Sequence, residues 1–181
     1  MGKNPSLNSS CGDTCPVENV SWKDVQEFIS KLNSRSVDAI KPSGKYRLPT
    51  EAEWEFAARS RGQKERYAGE NATIDNVAWH YSNTEGTHPV GKKAPNELGI
   101  YDMSGNVSEW TSDWYGATYY SSSPRNNPVG PISGDRRVLR GGSFGNGSFD
   151  LRTSYRNYMT PDYRDGDKGF RLLKTIPKQG K

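Results

Sequence analysis

The chain has 181 residues, of which 31% are hydrophobic, and a formal net charge of +4. A chain of this length predicts one domain with its own core rather than two domains. No apolar run is long enough to span a membrane, and the basic residues are scattered, which argues against nucleic-acid binding. The first ten residues also lack the apolar stretch of a secretory signal, and no segment indicates a cell compartment.

The first third of the chain predicts two short helices. Ser21 has the position of a helix N-cap with Asp24 at the third helical position, and apolar side chains then recur at helical spacing to about Asn33. Thr50 and Glu53 form a second capping box before another apolar helical face. Each helix therefore has a start that is encoded locally.

The remainder predicts short strands joined by long loops. From residue 69 to about residue 136, short apolar groups alternate with Gly, Asn, Asp, Ser and Pro. Residues 138–140 and 169–172 are predicted strands on either side of a long polar and aromatic segment. Two short helices, short strands and long ordered loops make an α+β domain. Four tryptophans are expected to be core rings: Trp22, Trp54, Trp110 and Trp114.

The residue types that usually carry chemistry are few. The two cysteines, Cys11 and Cys15, could close a small disulfide ring or remain free thiols. A zinc ion needs about four ligands, and only His80 and His88, both far along the chain, could join them. Ser143 beside a histidine would imitate a nucleophile, but nothing in the sequence brings either histidine to it.

Five motifs in this order resemble one family, and they are PVENVSW (16–22), YRLPTEAEWEFAAR (46–59), GIYDMSGNVSEWTSDWY (99–115), RVLRGGSF (137–144) and GFRL (169–172). The series is similar to the formylglycine-generating-enzyme, or sulfatase-modifying-factor, family, whose domain has a variant C-type-lectin-like fold. The resemblance implies one such domain over residues 1–172, minimal or truncated at its N-terminus, followed by a tail at 173–181.

The resemblance also implies calcium in the loop before Trp110. Asp102 and Glu109 match the family's side-chain ligands, and Gly105 and Val107 match its carbonyl ligands. The residues themselves agree, because two carboxylates and several carbonyls around one glycine turn make the all-oxygen shell that calcium favours. The alternative is that Asp102 caps a turn and Glu109 pairs with an arginine.

A second calcium site of the family would begin at Asn76 and Val77. Its remaining ligands lie in a longer acidic loop, and residues 81–86 do not align with that loop. The resemblance therefore supports the first calcium site better than the second.

The family's oxidase uses a pair of cysteines just after the GGS motif, where soft thiolates select copper(I). Asn146 and Leu151 occupy the matching positions here, and neither supplies a thiolate. We therefore expect no copper and no catalysis. The alternative is an enzyme of the sulfatase-modifying type, or an accessory protein of that family that binds such substrates without reacting.

Residues 144–168 are the segment in which we expect ligand binding. Large aromatic rings alternate there with Asn, Asp, Ser and Gly, a mixture typical of antibody paratopes. We expect the rings to be partly exposed on one surface with aspartates at its rim; the alternative is that they fill gaps under a long loop. The predicted ligand-binding residues are Phe144, Gly145, Asn146, Gly147, Phe149, Asp150, Tyr155, Tyr158, Tyr163, Asp165 and Asp167.

The same layout is similar to the variable proteins of diversity-generating retroelements, which use this lectin-like domain. Their variable region starts near the RVLRGGS motif and ends near GFRL. This resemblance implies a bacterial or phage-type origin, a monomer, and an unknown ligand that is either a macromolecule or a small molecule. The matching positions are Gly145, Asn146, Gly147, Phe149, Asp150, Tyr158, Tyr163, Asp165, Gly166 and Asp167.

Overall fold

The computed structural model describes residues 3–8, 12–35, 44–69 and 72–176. The helices in these ranges are α1 (Trp22–Arg35), α2 (Glu51–Ala58) and α3 (Ile74–Val77). The strands are β1 (Lys45–Arg47), β2 (Ser108–Trp114), β3 (Arg137–Arg140), β4 (Asn157–Met159), β5 (Lys168–Gly169) and β6 (Leu173–Thr175). The predicted α+β class is confirmed. No helix among the described residues is long and apolar enough to cross a membrane.

Reciprocal capping explains where α1 and α2 begin. The Asp24 N–H donates to Ser21 Oγ (3.1 Å), and the Ser21 N–H donates to the Asp24 carboxylate (2.8 Å). At α2, the Glu53 N–H donates to Thr50 Oγ1 (3.1 Å) and the Thr50 N–H donates to the Glu53 carboxylate (2.9 Å). These bonds satisfy N–H groups that a helix start leaves without intrahelical partners. Both predicted helix starts are confirmed.

The described strands form two sheets. The larger sheet has the order β4-β3-β2-β5, in which only the β2–β5 pair is parallel. In the smaller sheet, β6 runs antiparallel to β1, with Lys174 opposite Tyr46. Residues 173–175, which the sequence places in the predicted tail after residue 172, pair their backbone with β1. The strand predicted over residues 169–172 is displaced, since β5 ends at Gly169.

Two of the four tryptophans are fully buried at the centre of the molecule. Trp110 packs between α1 and β3, and Trp54 packs on the inner face of α2. Trp22 and Trp114 are only half-buried and hold the Arg137 guanidinium between them, with its central carbon 3.8 Å and 3.4 Å from the two ring centroids. The expectation of core rings is thus correct for Trp54 and Trp110. Trp22 is half-buried but also packs against the core cluster around Trp110, whereas Trp114 packs mainly on the Arg137 cation.

Two arginines, the fully buried Arg140 and the half-buried Arg156, hold the segment 144–168. Arg140, at the end of β3, is fully buried and donates to the backbone carbonyls of Thr153 and Tyr155. Arg156 forms a two-bond ion pair with Glu51, Nε to Oε1 at 2.6 Å and Nη2 to Oε2 at 2.9 Å. Because a buried charge is tolerated only when paired, these contacts determine the path of the segment across the sheet.

Candidate ligand-binding surface

Asn146 and Leu151, which the resemblance matches to the family's cysteine pair, both have structural contacts. Asn146 Oδ1 accepts the Ser143 N–H (2.9 Å), and its backbone carbonyl accepts the Tyr81 N–H (3.1 Å). Leu151 is fully buried in an apolar cluster with Val77. Both residues therefore contribute to packing and hydrogen bonding, and neither side chain contains a thiol.

Ser143, His80 and His88 have different hydrogen-bond partners and do not contact one another. The fully buried Ser143 hydroxyl lies 2.9 Å from Asn146 Oδ1 and 2.7 Å from Asp167 Oδ2, and its single proton has these two acceptors within hydrogen-bond distance. His80 Nε2 lies 2.9 Å from an Asp75 carboxylate oxygen, and His88 Nε2 lies 2.7 Å from the Thr84 hydroxyl. Neither histidine therefore contacts Ser143. Of the two alternatives for the cysteines, a disulfide or free thiols, the structure shows a disulfide at Cys15. Cys11 lies outside the described residues.

One group of predicted binding residues centres on Phe149. Its ring is 58% exposed and meets Tyr155 edge to face at 5.5 Å between centroids. The Arg152 guanidinium lies over the other part of the ring, 3.7 Å from the centroid. Burial raises the pKa of Tyr155, and the charge of Asp150 and a hydrogen bond to it raise that pKa further. This group combines an open aromatic ring with both signs of charge.

A second group forms around Tyr158 on the edge strand β4. Tyr158 is half-buried and packs on Tyr115 at 3.9 Å between centroids, with the exposed Arg136 5.0 Å from its ring. Tyr119 and Tyr120 continue the aromatic surface with an edge-to-face contact at 5.2 Å. The sequence analysis missed these three tyrosines outside the segment. The run YGATYY directly after β2 is the signal that would have indicated them.

A third group lies in the turn before β5. The Tyr163 hydroxyl donates to Asp165 Oδ2 (2.8 Å), which raises the pKa of Tyr163. Asp167 accepts the Ser143 hydroxyl and pairs with the buried Lys168 amine, so it connects this group to Asn146. The predicted site residues are thus partly exposed in three local groups. That they act as one ligand-binding surface stays a prediction.

Glycines in the segment differ sharply from those at its border. A Cβ added to Gly147 would meet no atom within 4 Å, and one added to Gly145 or Gly166 would make only ordinary contacts. Gly142 has φ +67° and would place a Cβ 2.9 Å from the Asp150 carbonyl oxygen. Side chains therefore fit at the three segment glycines, whereas the border glycine is required by its backbone.

The predicted calcium loop contains an ion pair in this structure. Arg171 donates to both Glu109 oxygens, Nε to Oε2 at 2.5 Å and Nη2 to Oε1 at 2.6 Å, and the Trp54 indole N–H also donates to Oε2 (2.7 Å). The structure therefore shows the alternative interpretation, in which Glu109 pairs with an arginine. Gly105 supplies the close approach of the loop to Trp79, whose carbonyl oxygen would lie 2.3 Å from an added Cβ.

Asp102 fits a cation better than Glu109 does. Its Oδ2 accepts the Gly91 N–H (2.8 Å), whereas Oδ1 is buried without a partner. Burial raises the pKa of Asp102, and the nearby Glu109 charge adds to that increase. A partnerless carboxylate oxygen is the ligand type that calcium needs. Calcium held by Asp102 and Glu109, with the Gly105 and Val107 carbonyls, remains a prediction that requires Arg171 to release Glu109.

At the second predicted calcium site, the described residues bring together no group of three metal-binding side chains. Asn76 and Val77 lie in α3, where the Asn76 carbonyl already accepts the Ala94 N–H (2.9 Å). Among the described residues, no three His, Cys, Asp or Glu side chains converge to hold a metal ion. Binding at Asn76 and Val77 therefore stays an expectation from the resemblance alone.

Comparison with known proteins agrees with the motifs. A family model described as the sulfatase-modifying factor enzyme 1-like domain matches residues 2–176. The formylglycine-generating enzyme of Streptomyces coelicolor is 38% identical over 173 residues, covering 86% of this chain and 51% of that protein. The serine/threonine-protein kinase pkn1 of Chlamydia pneumoniae is 41% identical over 164 residues, covering 89% of this chain and 24% of the kinase. The chain thus spans about half or less of the length of these relatives.

Solved structures with the same fold include a variable protein. Treponema denticola variable protein 1 has a TM-score of 0.82 and 34% identity, covering 95% of this chain and 77% of that chain. PvdO from Pseudomonas aeruginosa has a TM-score of 0.77 and 26% identity, covering 91% of this chain and 64% of that one. The predicted family and its variant of the C-type-lectin-like fold are confirmed, and the chain belongs to the sulfatase-modifying factor enzyme 1-like domain family.

Proposed function

We propose that this chain is a non-catalytic module that binds a ligand through the surface of residues 144–168. One observation carries the proposal: buried Arg140 holds the backbone carbonyls of Thr153 and Tyr155, while the outer positions of the segment have partly exposed rings or glycines with open space around them. A rigid backbone with replaceable outer side chains lowers the entropic cost of binding and leaves specificity to those side chains. The likeness to a variable protein supports this function.

The alternative function is an oxidase of the formylglycine-generating type. Its only support is similarity to relatives that carry that name. The relatives that carry this name share the domain, but Asn146 and Leu151 provide no thiolate to bind copper. An accessory protein that holds the same substrates without reacting would use the same surface. Enzyme and binder therefore differ in one measurable property, product formation.

The decisive assay is incubation of the purified chain with a cysteine-containing sulfatase peptide, with and without copper(I). We expect no formylglycine by mass spectrometry above a reaction without protein. A Streptomyces coelicolor formylglycine-generating enzyme reaction serves as the positive control. Copper-dependent product above the reaction without protein would overturn the proposal.

We also propose that the segment is diversified at the positions that match the variable region of retroelement-linked proteins. Comparison of the coding region with a neighbouring template repeat tests this idea. Adenine-directed differences confined to residues 144–168 would support it, whereas uniform differences along the gene would leave an ordinary, non-diversified binding module.

A further inference from the structure

The turn before β5 brings three carboxylates together with little positive charge. Asp165 and Asp167 flank Gly166, and both charges raise the pKa of Glu18, after the larger effect of burial. Lys168 pairs with Asp167. The nearby Arg164 does not contribute, because it forms a two-bond pair with Asp24 at 2.6 Å and 2.7 Å.

Glu18 is the most unusual member of this group. The residue is 0% exposed, and its Oε1 accepts the Asn8 N–H (2.7 Å), but its Oε2 is buried with no hydrogen-bond partner. A Cβ added to Gly166 would lie 3.6 Å from that oxygen, so Oε2 lies directly behind the turn. A buried carboxylate oxygen without a donor is costly, and a cation placed at the turn would offset the cost.

The surface in front of Glu18 has the features that recognise an organic cation. Both Asp165 oxygens accept one hydrogen bond each, from the Tyr163 hydroxyl and the Gly166 N–H at 2.8 Å, and each keeps a second lone pair. The Tyr163 ring, 36% exposed, offers a π face beside this carboxylate. A guanidinium has five N–H donors in one plane and stacks on aromatic rings, so it can use both groups together.

A metal ion fits this turn less well. Asp167 already shares its two oxygens with Ser143 and Lys168, and no set of three metal-binding side chains converges within the described ranges. A small ion would need all its ligands within one short radius. A guanidinium is wide enough to reach separate acceptors.

We propose that the turn formed by Tyr163, Asp165 and Gly166, with Glu18 behind it, binds an arginine side chain presented by a protein partner. The inference rests on the proposed binding function, because it names the chemistry of the partner at one end of that surface. The chain itself has a net charge of +4, which disfavours unspecific attraction of a basic peptide. Local recognition therefore has to overcome the overall charge.

The probe is acetyl-tetra-arginine-amide, titrated into the ¹⁵N-labelled chain at physiological salt, with acetyl-tetra-glutamine-amide as the uncharged control. We expect amide shifts concentrated at residues 163–168 and at Glu18, and none with the glutamine peptide. Asp165→Asn should weaken binding about tenfold, as expected for a lost charge-assisted bond. Asp162→Asn is the matched control, because Asp162 lies in the same turn, is exposed and pairs only with Lys23 among the described contacts.

Two tyrosine variants give a second measurement that does not depend on Asp165. Tyr163→Ala should weaken binding because the ring is lost. Tyr163→Phe should preserve or tighten binding, since the ring stays and Asp165 loses a competing donor. Equal weakening by Asp162→Asn and Asp165→Asn, or no weakening by Asp165→Asn and Tyr163→Ala, would overturn the proposal.

Failure of this inference is separable from failure of the proposed function. If arginine does not bind here but a partner is still recognised through residues 144–158, only the arginine site is wrong. If arginine binds here but substitutions at Phe149 and Asn146 never alter partner recognition, the cation site stands and the wider binding function fails.

Discussion

Asp113 shows how one buried residue affects the whole domain. It is 1% exposed; Oδ2 accepts the Glu51 N–H at the start of α2 (2.8 Å) and the Ser112 hydroxyl (3.0 Å), while Oδ1 is buried without a partner. Burial raises the pKa of Asp113 from 3.8 to about 6. The folded chain thus binds this proton more tightly than the unfolded chain. The stability contribution is present below about pH 4 and is lost as the pH rises through about 6.

The variant Asp113→Asn tests this reasoning, because its amide oxygen can still accept the Glu51 N–H without carrying a charge. Between pH 4 and pH 7 we expect the wild type to lose about 2 kcal/mol of unfolding free energy relative to the variant. Urea unfolding of both proteins across this range provides the measurement. Parallel pH profiles for the two chains would show that Asp113 is not the titrating group.

At the scale of elements, the loop from Asp102 to Glu109 has two possible cations. Arg171 holds Glu109 in the structure, whereas the resemblance predicts calcium at the same carboxylate. Calcium binding must raise the unfolding midpoint, since a ligand bound only to the folded state stabilises it by mass action. At a hundred times Kd the gain is about 2.7 kcal/mol, which is several degrees for a domain of this size.

We therefore expect a higher midpoint in millimolar calcium than in chelator, measured by scanning calorimetry. Asp102→Asn should reduce the shift because it removes the partnerless oxygen, and Arg171→Gln should enlarge it because the competing cation is gone. Magnesium is the control, since it prefers a smaller and stricter octahedral shell. Identical midpoints with calcium and with chelator in all three proteins would contradict calcium binding in this loop.

At the scale of the whole molecule, the proposed function requires a scaffold that is insensitive to its outer residues. We expect the combined variant Gly145→Asn, Gly147→Asn, Phe149→Tyr and Gly166→Asn to unfold within about 0.5 kcal/mol per site of the wild type. The single variant Gly142→Ala is the matched control and should lose about 1–3 kcal/mol, because its φ is +67° and the added methyl meets a carbonyl at 2.9 Å. A combined loss larger than about 2 kcal/mol for the four sites would contradict a replaceable surface.

The sequence predicted local features well because the contacts that create them are short in sequence. Ser21 with Asp24 and Thr50 with Glu53 are three residues apart, so each capping box can be read from the chain itself. Side-chain chemistry is equally local, and the lack of thiolates at Asn146 and Leu151 needs no structure. The ordered family motifs identified the fold, which the family match and the solved relatives confirm.

The tertiary structure decided which distant charges meet. Glu109 pairs with Arg171 across 62 positions of the chain, and Gly166 lies over Glu18 although one residue is near each end. Tyr158 acquires Tyr115 as a neighbour only because β4, β3 and β2 lie side by side. An ion pair or a ring contact depends on the path of the backbone between its members, and the pattern of residue types does not specify that path. The sequence by itself therefore determined the helix starts and the family, while packing determined which distant charges pair and which rings meet around residues 144–168.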